Sequence, residues 1–134
     1  MEIKGISPEN TWPIRHQVMW PNHPIEFVKL EKDTSGAHYG IFVEDKLVSC
    51  ISLFIADDSA QFRKLATLHG YQKKGYASAL IDHIIAICLQ KKVQKIWCNA
   101  RLDKTDFYEN FELIKTKNSF SKEGVSYLVM ERIL

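Results

Sequence analysis

The chain has 134 residues, of which 46% are apolar and 25% charged, a balance that excludes disorder and suffices for a single domain over 1–134 with a core that needs no staples. A net charge of +2 and a pI near 8.4 are too mild to argue for a nucleic-acid partner. The three cysteines, Cys50, Cys88 and Cys98, lie in apolar runs and are odd in number, which excludes a full disulfide framework and reads as reduced core thiols in a cytoplasmic protein.

In chain order, Glu2 to Ile6 reads as a short strand, and Met1-Glu2-Ile3-Lys4-Gly5 has neither the apolar stretch nor the cleavage site of a signal peptide. Ser7-Pro8 stops it, and Asn10 or Thr11 can cap a helix through Trp12, Pro13 and Val18 to about Trp20, ended by Pro21 and Pro24. Ile25 to Asp33 fits a bent strand or a short helix. From Ala37 the period becomes two, with strands at His38–Val43, Leu47–Ile55 and Gln61–Leu68, an antiparallel meander with a turn at Glu44-Asp45-Lys46. Ala77, Leu80, Ile81, Ile84, Ile87 and Cys88 recur at helical spacing in Gly75–Gln90. Lys95 to Asn99 returns as a strand, so this crossover implies a parallel pair. A short helix over Lys104–Phe111 and two strands, Leu113–Lys117 and Val125–Ile133, close the chain. No segment reaches the roughly 18 apolar residues of a membrane span, and a membrane partner is not expected.

The junction between the third meander strand and the long helix carries Gln72-Lys73-Lys74-Gly75-Tyr76-Ala77. A helix start offers unpartnered N–H groups and roughly half a positive charge, and anions bind there. Gly75 allows close approach of the backbone, Ala77 keeps the next contact small, and Lys73 and Lys74 add cations. A phosphorylated ligand is expected. The nucleotide-triphosphate loop Gly-x-x-x-x-Gly-Lys-Ser/Thr and the dinucleotide loop Gly-x-Gly-x-x-Gly are both absent.

Gln-x-x-Gly-x-Ala at this place, with this order of elements, resembles the pyrophosphate loop of the GNAT N-acetyltransferases. The resemblance covers Ala37 to the C-terminus, and the N-terminal third matches in element order. It implies an α/β (α+β) fold with a mixed sheet of six to seven strands and three to four helices. It also implies acetyl-coenzyme A as co-substrate, held by Leu65, Ala66 and Thr67 on a bulged strand, by Gln72, Lys73, Lys74, Gly75, Tyr76, Ala77 and Ser78 at the loop and helix start, and by Arg101 at the pantetheine arm. Phe107-Tyr108 stands about thirty residues beyond the loop, where the family's tyrosine protonates the departing thiolate, so Tyr108 inherits that role by position. The sequence departs from the family pattern at Lys104, where alanine is common, and at Glu112-Leu113, where the family has Gly-Phe; Asn110 is then the expected left-handed helix end.

The implied reaction is direct attack of a primary amine of a small molecule or peptide on the acetyl thioester. In this family the first helix and its loop roof the acceptor site, which points to Arg15, Trp20 and His38, with Trp12 and the turn Pro21–Pro24. An arginine and two tryptophans could recognise a carboxylate and an apolar body. Trp12 and Trp20 serve equally as core residues, and His38 equally as a satisfied histidine. Glu31, Asp33, His38 and His69 are the candidate bases, none favoured by spacing.

Two other readings compete. One is a non-catalytic acyl-CoA-binding sensor or interaction module on the same fold. The other is nucleic-acid binding through Arg63, Lys64, Lys73, Lys74, Lys91, Lys92 and Lys95, against which their interleaving with acids argues. No metal-ligand spacing occurs, and a homodimer is left open.

Overall fold

In the computed structural model, which describes residues 1–134, the chain opens with β1 (Glu2–Ile6) and α1 (Pro8–Met19). The helix starts earlier than Asn10 or Thr11, the caps expected from sequence. Ser7 is the N-cap: its N–H and hydroxyl both donate to Asn10 Oδ1, at 3.2 and 2.8 Å. Pro8, a strand breaker by its ring, takes the first helical position, where no N–H is needed. Of the two readings of Ile25 to Asp33 the short helix holds, as a 3₁₀ helix at Ile25–Val28, and a second 3₁₀ helix follows at Asp33–Ser35.

The meander follows as β2 (Ala37–Val43), β3 (Lys46–Ala56) and β4 (Ser59–Thr67), then α2 (Tyr76–Gln90) and β5 (Lys95–Arg101). A 3₁₀ turn at Leu102–Lys104 leads into α3 (Thr105–Glu109), and β6 (Ile114–Lys122) and β7 (Val125–Ile133) finish the chain. The result is one seven-stranded sheet in the order β1-β2-β3-β4-β5-β7-β6 with three α-helices. All neighbours are antiparallel except β4 and β5, the parallel pair that the crossover demands. The left-handed residue after α3 is Glu112, with φ 64°, while Asn110 stays right-handed. Glu112 therefore adopts the conformation for which a glycine is usual at this place.

Both faces of the sheet are covered. On one, Leu80, Ile81, Ile84, Ile85 and Cys88 of α2 bury against Ile51, Leu53, Phe62 and Ile96, and each large apolar side chain contributes about 1.5–3 kcal/mol. On the other, Ile14 of α1 meets Cys50 and Ala66. No helix is long and apolar enough to cross a membrane.

Candidate active site

The cavity arises where two parallel strands part. β4 and β5 pair only at Ser59–Lys95, Ala60–Ile96 and Gln61–Trp97, after which β4 runs on to Thr67 and β5 to Arg101 without pairing to each other. Their splayed ends leave a cleft of about 540 Å³. At the same level β4 is bulged. Cys50 faces Ala66 and Ser52 faces Arg63, so that Lys64 and Leu65 stand opposite Ile51 alone, with Lys64 in a left-handed conformation at φ 58°. A bulge of this kind leaves an extra residue unpaired and redirects its neighbours. Leu65, Ala66 and Thr67, expected at the bulge, all line the cleft, but the irregularity begins one residue earlier, at Lys64.

One end of the cleft is formed by the loop into α2. Lys73 (φ 61°) and Gly75 (φ 86°) are both left-handed, a backbone of alternating hand that turns N–H groups toward one concave side. Gly75 caps α2, and a Cβ placed there would meet nothing within 4 Å; conformation rather than space calls for glycine. The Gln72 side-chain amide donates to the Thr67 carbonyl at 2.9 Å and ties the loop to the end of β4. Gln72, Lys73, Gly75, Tyr76, Ala77 and Ser78 all line the cleft. Lys74 does not: it is exposed, and only one of the two expected lysines belongs to the lining.

The middle of the cleft is walled by α3 and β5. Tyr108 packs its ring against Phe62 and Phe107, at centroid distances of 5.8 and 5.2 Å, and borders the cleft. Burial, reinforced by neighbouring Cys98, pushes its phenol well above the usual tyrosine value, so the O–H stays intact at neutral pH and remains a donor. Cys98 also lines the cleft, and burial raises its thiol to about 12, which leaves it a poor source of thiolate. Arg101, at the end of β5, lies on the rim 3.8 Å from Asp103.

Arg15 and His38, expected on the acceptor side, belong instead to a buried network under α1. Arg15 is 0% exposed. Its Nη1 donates to Asp33 Oδ2 and the Val28 carbonyl, and its Nη2 to Asp33 Oδ1 and Ser52 Oγ, each at 2.9 Å. His38 Nε2 faces the Asp33 carbonyl at 2.8 Å and so carries the proton, while Nδ1 faces the Ser52 hydroxyl at 2.7 Å. Trp12 Nε1 donates to Asp33 Oδ2 at 3.0 Å. Burial alone would raise the Asp33 carboxyl, but bonds from Arg15, Leu30 and Trp12 and the Arg15 charge hold it at about 2. These groups hold one another, and none of them lines the cleft. Glu31 and His69 are exposed and lie outside the cleft, and no aspartate, glutamate or histidine lines it.

Trp20 lines a smaller chamber of about 90 Å³ that continues the cleft past Met19, Phe62, Arg63, Lys64, Asn99 and Tyr127. Sequence reasoning missed most of this end. Arg63 and Lys64 entered there only among the cations of the nucleic-acid reading, because the bulge that turns them inward has no sequence mark. Asn99 and Tyr127 come together only through the pairing of β5 with β7.

A mixed sheet split at its parallel pair, with a bulge on one side of the split and a helix start closing it, defines an acyltransferase fold. The family model described as "Acetyltransferase (GNAT) family" matches residues 5–112, and the chain belongs to that family. The uncharacterized N-acetyltransferase YitI of Bacillus subtilis (strain 168) is 31% identical over an alignment that covers 100% of this chain and 97% of that one. Among solved structures, a GNAT family acetyltransferase from Elizabethkingia anophelis with acetyl-CoA bound superposes with a TM-score of 0.77 at 14% identity, covering 99% of this chain and 97% of that one. Escherichia coli ElaA superposes at 0.79 with 16% identity and 98% coverage of both chains.

Proposed function

We propose that the protein transfers the acetyl group of acetyl-CoA to a primary amine by direct attack in a ternary complex. The observation that carries this reading is the continuity of one cleft from the α2 start, past the β4 bulge, to Tyr108. Acetyl-CoA bound to the Elizabethkingia relative supports the choice of donor. In this reading the N–H groups of Tyr76, Ala77 and Ser78, with Lys73, receive the pyrophosphate. Leu65 to Thr67 receive the pantetheine arm and thioester, and Arg101 attends the arm from β5. A backbone donor at the bulge that meets the developing oxyanion would contribute about 3 kcal/mol, and positioning roughly 7 kcal/mol or more.

Tyr108 supplies the proton to the departing sulfur. Its raised pKa keeps it protonated, and the same burial destabilises the thiolate it must quench. The amine nitrogen forms the new bond to the acetyl carbon, the carbon–sulfur bond breaks, the thiol leaves with the phenolic proton, and the extra proton left on the nitrogen passes through solvent to restore the Tyr108 phenol. With no carboxylate or imidazole in the lining, the amine gives up its proton to solvent before attack. The cations of the cleft assist by disfavouring an ammonium beside them. Cys98, held at about 12, does not serve as an acyl carrier.

The test is a titration of the protein with acetyl-CoA by calorimetry and thermal shift, followed by turnover on a panel of primary amines. Saturation at a hundred times the dissociation constant should add about 2.7 kcal/mol of stability. Lys73→Glu should weaken binding, and Cys98→Ala should retain turnover. No shift with acetyl-CoA or CoA would sink the reading, and loss of turnover in Cys98→Ala with binding intact would replace direct attack by an acyl-enzyme. Acetyl-CoA binding without turnover of any amine would favour the non-catalytic alternative.

A further inference from the structure

The chamber beyond the bulge is lined by Arg63, Lys64 and Lys122, three cations, together with Trp20, Phe120 and Tyr127, and by no acid. None of the three forms an ion pair with a carboxylate: the Asp33 charge acts on Arg63 and Lys64, but its carboxylate is bonded to Arg15 at 2.9 Å, and Glu123, next to Lys122 in sequence, lies 3.6 Å from His23. Lys122 Nζ rests only on the face of Phe27, 5.2 Å from its centroid. Trp20 borders the chamber, and its indole Nε1, itself buried away from the open space, has no partner. A donor in that position costs stability unless something accepts from it.

We infer that this chamber receives a compact anionic group, a carboxylate or a phosphate, carried by the acceptor amine at the end remote from its nitrogen. About 90 Å³ suits such a group, and the aromatic wall of Trp20, Phe120 and Tyr127 suits an apolar body between anion and amine. The assignment also resolves a conflict in the cleft. A bare ammonium would be repelled by Arg63 and Lys64, whereas an anionic tail is attracted and draws its amine in with it. Burial, with the like charges of Arg63, Lys122 and Arg15 and against the charge of Asp33, draws Lys64 down to about 8. An anion there would restore Lys64.

The identity of this acceptor rests on the acetyl-transfer reading, but the anion site does not, and the experiment separates them. With CoA bound, the protein is titrated with benzoate, phenylphosphate and benzylamine and followed by thermal shift. Stabilisation by benzoate or phenylphosphate but not by benzylamine, lost in Lys122→Glu, is expected; the stronger of the two anions names the source. No stabilisation by either, or stabilisation that survives Lys122→Glu, overturns the site. Lys122 is exposed, so its replacement leaves the fold intact. Turnover then compares 4-(aminomethyl)benzoate with benzylamine, and 4-aminobutyrate with butylamine. A preference of about tenfold or more in kcat/KM for the carboxylate members, the worth of one charge-assisted hydrogen bond, is expected and should vanish in Lys122→Glu. Equal or better turnover of the neutral amines overturns the assignment. Anion binding without turnover of any amine overturns acetyl transfer and leaves the anion site standing.

Discussion

Beneath α1, Arg15 gives four hydrogen bonds to Asp33, Val28 and Ser52, whereas Arg63 and Lys64, on the strand bordering the cleft, pair with no carboxylate. Both regions place basic side chains near aromatic ones, and sequence alone cannot separate them. The structure separates them by satisfaction. In the first region almost every polar group has a partner in the same chain, Arg15 Nε being the exception, so the cluster fixes the 3₁₀ turns and α1 to the sheet. In the second the cations converge on space. The difference teaches where to look for a ligand: a saturated network holds the fold, and an unsaturated one waits for something else.

The comparison breaks most visibly at Arg15. Arg15→Met should cost about 3–5 kcal/mol, because it leaves the Asp33 carboxylate buried and unpaired; urea denaturation measures this. A loss below about 1 kcal/mol would return Arg15 to the list of functional residues.

Acid titration gives a smaller effect on the same network. The Asp33 carboxyl is depressed to about 2 in the folded protein, from an ordinary 3.8. Its contribution is therefore fully present above the unfolded value and is lost as pH falls from about 5 to 2. The shift corresponds to about 2 kcal/mol. Denaturation at pH 7, 5, 4 and 3 should show that decline, and Asp33→Asn, less stable throughout, should lack this component of it.

In the cleft, Gly75→Ala should cost about 1–2 kcal/mol from its left-handed backbone alone, since the added methyl meets no neighbour. Acetyl-CoA affinity should fall with it, while Lys74→Ala, outside the cleft lining, should leave that affinity within about twofold.

The pH–rate profile sharpens the comparison further. With no imidazole or carboxylate in the lining, kcat/KM should climb steadily from pH 6 toward pH 9 as the amine deprotonates. A plateau with a midpoint near 6 to 7 would reveal a base that the cleft does not display.

Much of the scaffold was legible in the chain because local signals carried it. The period-two meander, the apolar stripe of α2 and the glycine of the loop each report their own backbone, and the family resemblance placed Tyr108 beside the cleft. The acceptor end was not legible. Arg15 and His38 were expected there, but they are paired by contacts 13 to 37 residues away in sequence, which no local pattern reveals. Arg63 and Lys64 face the cleft only because the bulge at Lys64 turns the strand, and a left-handed lysine has no sequence signature. The start of α1 was misplaced because Ser7-Pro8 spells both the end of a strand and the start of a helix. The idea of a carboxylate-binding arginine beside tryptophan survives as a proposal, with the residues exchanged.

The most direct test of the central claim is a split measurement on Tyr108→Phe: the acetyl-CoA dissociation constant by calorimetry, and kcat by thiol release. If the phenol is the proton donor, affinity should stay within about twofold while kcat falls about 10²-fold or more. An unchanged kcat, or a loss of affinity that accounts for the whole effect, would contradict the role given to Tyr108.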